Sequence, residues 1–175
     1  MRNARTEILR TLSIVTSLVL LGAAEPNNKK TIPADFRIIA EYGAGYSHWE
    51  SWKATVTSDG KVAQDSGFED AKKTLRLSKG DLEDLLARIE EVDFFALKGQ
   101  YSYNVTDNPT LILTITRNKK TRKVAVYAPN HLKNNEEVKR FLRIWAEFLR
   151  KIPSPNPDQR PELYEPRNGR GKRPS

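Results

Sequence analysis

In this chain of 175 residues, the residues best suited to acid/base or metal chemistry are His48, His131 and Asp107. All three lie in stretches rich in turn-forming residues. If those loops met, a carboxylate could orient an imidazole, giving a small hydrolase that uses His48 or His131 with Asp107, or part of a metal site. Nothing in the spacing requires it, because HExxH, a Gly-rich phosphate loop and a GxSxG elbow are all missing. The residues imply no cofactor and no metal, none is assigned a catalytic role, and the reading leans away from an enzyme.

Two other clusters suit binding rather than catalysis. Tyr42, Tyr46, His48, Trp49 and Trp52 surround the Gly43 to Gly45 link. With Trp52 facing inward, Tyr46, His48 and Trp49 could present an aromatic surface to a sugar ring, a peptide or a protein. The alternative is that they cap one end of the core. Tyr101, Tyr103 and Asp107 form a second candidate, although Asp107 ahead of Pro109 also suits an Asx turn. A third group is cationic: Arg117, Lys119, Lys120 and Arg122, joined by Lys139, Arg140, Arg143 and Arg150 of a later helix. It could hold anionic envelope polymers or lipid head groups, or be no more than a solvated turn. Aromatics that would stack bases are missing from it, so no specific nucleic acid is expected.

The elements that position these loops follow from periodicity. Ser78 and Asp81 have capping-box spacing, Leu77 and Leu82 occupy the staple positions, and Leu82, Leu85, Leu86, Ile89 and Val92 recur at helical spacing. A second helix runs from a cap at Asn134 or Asn135 to Ile152, with Val138, Phe141, Leu142, Trp145, Phe148 and Leu149 as its apolar stripe and Pro153 as its stop. Period-two alternation marks strands from Asp35 to Tyr42, Trp52 to Thr57, Lys61 to Gln64 and Thr74 to Leu77. Two more, Leu111 to Thr116 and Lys123 to Ala128, should be joined by a loop over 117–122. The fold expected is α+β, an antiparallel sheet of four to six strands with two helices packed on one face.

Residues 1–24 read as a signal peptide, with Arg2, Arg5 and Arg10 ahead of an apolar run from Thr11 to Leu21 and then Gly22, Ala23 and Ala24. That run falls short of the roughly 20 residues a bilayer span requires, so the mature chain should have no transmembrane segment. Retention of the run as an anchor is the alternative. Residues 25–34 read as a spacer, 35–152 as one domain, and 153–175 as a disordered, Pro-rich, basic tail. Of the formal charge of +8, the leader supplies two units. The absence of cysteine excludes disulfides, thiolate metal sites and cysteine nucleophiles, so the core alone must supply the stability.

The Gly and aromatic stretch from Gly43 to Trp52, the turn at Asp59-Gly60, the Ser78 to Ile89 helix, Phe94-Phe95 with Leu97 and Tyr101, and Thr106-Asp107 with Pro109 before a hairpin form a pattern. Over residues 35–128 it resembles a bacterial family of small, often exported domains catalogued only as a domain of unknown function. Members carry a cysteine pair where Tyr46 to Trp52 stand here, so any role of that pair is lost. The resemblance implies the fold and an exported, periplasmic or secreted location, but no activity. The function expected is a noncatalytic binding or interaction module for a protein or envelope component.

Overall fold

A computed structural model describes residues 31–45, 50–66, 73–156 and 159–164. Strands β1 (Arg37–Gly43), β2 (Trp52–Thr57), β3 (Lys61–Ser66) and β4 (Lys73–Arg76) pair in succession as an antiparallel meander. After helix α1 (Lys79–Glu91) come a two-residue strand β5 (Gln100–Tyr101) and the hairpin of β6 (Thr110–Arg117) and β7 (Lys120–Tyr127). Helix α2 (Glu136–Lys151) follows. β6 lies beside β1, so the sheet has seven strands in the order β4-β3-β2-β1-β6-β7-β5. The class is the α+β fold expected, with one strand beyond the expected range. Every pairing is antiparallel except that of β5 with β7. Two residues are too few for alternation to mark β5 in the sequence, and its place is secured by the Ala125 N–H, which donates to the Gly99 carbonyl at 3.0 Å.

Both helix starts form as their sequences require. Ser78 Oγ accepts from the Asp81 N–H at 3.1 Å, and Asp81 Oδ2 accepts from the Ser78 N–H at 3.1 Å, satisfying two donors that the first turn would leave unpaired. Asn135, one of the two expected caps, accepts from the Glu137 and Val138 N–H groups at 3.0 and 3.1 Å. The stripes of Leu82, Leu85, Leu86 and Ile89 and of Phe141, Trp145 and Phe148 are buried with the inward residues Ile38, Ala54, Val56, Leu113, Ile115 and Val124. Burying each large side chain contributes about 1.5–3 kcal/mol, which makes this layer the main source of stability. The opposite sheet face carries half-buried Ile39, Thr55, Thr114 and Thr116. Antiparallel sheets commonly leave one face to water in this way.

Two expectations need correction. The link between β6 and β7 is not a loop over 117–122 but a turn of Asn118 (φ 49°) and Lys119 (φ 63°), both left-handed as a type I′ hairpin requires. Asp35 accepts from the backbone N–H groups of both turn residues. The Lys119 bond is the main reason its carboxyl titrates below the ordinary value.

The segment from Pro153 was expected to be disordered, yet residues 153–156 and 159–164 pack on the helix side of the sheet, burying Asn156, Gln159 and Tyr164. Composition misleads here because the apolar surface is supplied mainly by the partners, Trp52 and Trp145. The leader, most of the spacer and residues 165–175 lie outside the described residues.

Candidate functional site

Sheet register brings three connections to one end of the molecule. Gly43 pairs with Thr110, and Thr110 pairs with Tyr127, so the β1–β2 loop, the β5–β6 loop and the turn after β7 emerge together. They also touch. A Cβ on Gly45 would lie 2.5 Å from the Asp107 carbonyl carbon and 2.5 Å from the Asn108 nitrogen, so only glycine allows this approach of the two backbones. Tyr127 braces the same loop, its hydroxyl donating to the Val105 carbonyl at 2.8 Å.

Within the β5–β6 loop, Tyr101 and Tyr103 have different roles. Tyr101 is 7 % exposed, and its hydroxyl accepts from the Lys98 N–H at 2.7 Å, so burial raises its pKa and its ring belongs to the core rather than to a binding surface. Tyr103 is 47 % exposed and stacks on exposed His131, with ring centroids 4.9 Å apart and planes 12° from parallel. Asp107 is exposed with φ 58°, and its turn is closed by Asn108 Nδ2 donating to the Thr106 carbonyl at 2.8 Å. The Asx bond expected of Asp107 is not the one that forms. Tyr46, His48 and Trp49 lie outside the described residues.

Among the described residues, no hydrogen bond or ion pair joins His131 to Asp107, and no group of three or more His, Asp or Glu could hold a metal ion. The stacked imidazole of His131 is therefore not oriented by this carboxylate, which the acid/base pairing of the two would need.

The cationic candidates are mostly committed elsewhere. Arg117 lies 2.6 Å from Glu90 Oε1, and Arg122 donates to the Leu97 carbonyl. Arg140 reaches the Asp93 carbonyl at 2.9 Å, Lys139 pairs with Glu136 at 2.6 Å, and Arg150 pairs with Glu147. Lys119 and Lys120 stand exposed at the β6–β7 turn, at the end of the sheet opposite the loop cluster. Pairing with Glu90, Glu136 and Glu147 offsets the charge of Arg117, Lys139 and Arg150.

Behind the loop end, on the helix side, aromatic rings run across the sheet. Tyr42 stacks on Trp52 at 6.3 Å, and Trp52 on Trp145 at 5.5 Å. Trp52 Nε1 donates to Gln159 Oε1 at 2.6 Å. Burial raises the pKa of the Tyr42 phenol, and the neighbouring Gln159 side chain offsets part of that effect. Sequence reasoning missed Tyr127 and Gln159. The clue to Gln159 was Trp52 itself, since an inward indole needs an acceptor for its N–H.

Among the described residues, no helix is long and apolar enough to cross a membrane. A comparison with curated proteins finds no match for the chain. The family model described as Domain of unknown function (DUF6438) matches residues 37–144, from the start of β1 into α2, and takes in the loop cluster. The chain belongs to that family of domains of unknown function.

Proposed function

We propose that this domain is a noncatalytic binding module that meets a protein or cell-envelope component at the loop end of its sheet. The observation that carries the reading is the Tyr103–His131 stack, two exposed rings on separate connections, one of them the connection on which Gly45 rests at Asp107 and Asn108. Rings that stay in water at the cost of apolar exposure offer contact area with little side-chain entropy to lose on binding. Loops carried by a rigid sheet are where recognition residues concentrate. Export on the leader belongs to the same proposal, supported by its arginines, apolar run and small residues.

The test is retention of solubilised envelope components by the full chain and by a Tyr103→Ala/His131→Ala variant. A component held by the first and lost by the second, with unfolding midpoints within about 0.5 kcal/mol as expected of exposed sites, supports the reading. Equal retention by both overturns it. For export, fractionation should place the chain outside the cytoplasm, starting near Glu25; a chain intact from Met1 in the cytosol contradicts it.

A further inference from the structure

The chain beyond α2 returns to β2, which carries one side of the β1–β2 loop, and to its neighbour β3. Gln64 Nε2 donates to the Pro153 carbonyl at 3.1 Å, Ser154 Oγ lies 3.1 Å from Gln159 Oε1, and that same oxygen accepts from Trp52 Nε1. Tyr164 meets Trp145 edge to face at 6.2 Å. The backbone hydrogen bonds described for the segment are internal: Gln159 to Asn156, Leu163 to Arg160 and Tyr164 to Pro161. It can therefore leave as a unit without breaking any ladder of the sheet. What holds it is side-chain contact and three buried residues, Asn156, Gln159 and Tyr164.

Its point of attachment matters. Tyr42 and Trp52 face each other across the last paired position of β1 and β2 before their connecting loop. Gln159 bonds to Trp52, and Trp52 stacks on Tyr42. Immediately beyond them, the Ala44 N–H donates to Ser51 Oγ at 3.2 Å, tying the two sides of the loop root together. One amide of the C-terminal segment thus holds Trp52, one of the two residues from which the loop springs.

We infer that residues 153–156 and 159–164 form a detachable latch on the root of the β1–β2 loop, engaged through Gln159. Docked, the latch fixes Trp52 and, through the stack on Tyr42, the loop root; released, it frees both. On the binding reading above, on which this consequence rests, a ligand at the loop end and a partner that captures the latch affect each other's affinity reciprocally.

The test needs no ligand. Amide hydrogen exchange is measured on the full chain and on Gln159→Ala and Gln159→Met, the second keeping the side-chain length without the acceptor. Exchange at Ala44 and Trp52 should accelerate about tenfold, the factor one lost buried hydrogen bond is worth, while Leu113 and Val124 keep their rates. Unchanged rates at Ala44 and Trp52 in either folded variant, or acceleration shared equally by Leu113 and Val124, would overturn the latch. Tyr103→Ala/His131→Ala should leave the exchange at Ala44 as it is, so the latch and the binding reading fail separately.

Discussion

Lys151 Nζ lies 2.8 Å from Asp81 Oδ1 and 2.7 Å from Asp84 Oδ2, so one cation in the last turn of α2 holds two carboxylates in the first two turns of α1. The geometry follows from the antiparallel packing of the helices. It also sets charge against charge at both dipoles, the carboxylates at an N-terminus and the ammonium at a C-terminus.

The first prediction concerns pH. The Lys151 contact, followed by the hydrogen bonds with Ser78, lowers Asp81 from 3.8 to about 2. A depressed carboxyl contributes stability in full above its unfolded value and loses it as pH falls through the folded one. Stability should therefore drop by about 1 kcal/mol from this group between pH 4 and pH 2, a figure reduced for the solvent screening of a partly exposed pair. Urea unfolding of the native chain and of Lys151→Met across that range checks it. The variant should lose part of the pH dependence, and identical slopes would contradict the assignment.

The second concerns the β6–β7 turn. Lys119 carries a side chain at φ 63°, where glycine is at ease, and the N–H that it gives to Asp35 survives substitution. Lys119→Gly should stabilise the domain by about 0.5–1 kcal/mol, since relief of left-handed strain exceeds the added entropy of the unfolded chain. The midpoint of urea unfolding should rise at constant slope. A fall in the midpoint would mean that the lysine side chain contributes more than its backbone costs.

The third concerns the junction of the two loops. Gly45→Ala sets a methyl 2.5 Å from the Asp107 and Asn108 backbone, so one loop must move. Because Gly45 is exposed and the loops can part, the loss of stability should stay near 1 kcal/mol, at the low end for overpacking. Amide shifts should change at Asp107, Asn108 and Val105 but not at Val62 or Leu75. Unchanged shifts at Asp107 and Asn108 would refute the contact.

Local signals and assembled ones separate cleanly in this protein. Ser78 with Asp81, Asn135, Gly60 and the stripes of both helices act within a few residues of themselves, so their spacing in the sequence alone establishes two capped helices, the alternating strands and the face each must bury. The family resemblance rests on the same positions. Tertiary structure decided the rest, because the partners are remote. Gln159 meets Trp52 from 107 residues away, Asp35 sets the turn at Lys119 from 84 residues away, and Gly45 rests on a loop that nothing near it specifies. Tyr101 and Tyr103 make the point most sharply. Two residues apart and alike in sequence, they are parted by one hydrogen bond from Lys98 and one stacked imidazole, which place one ring in the core and leave the other in water.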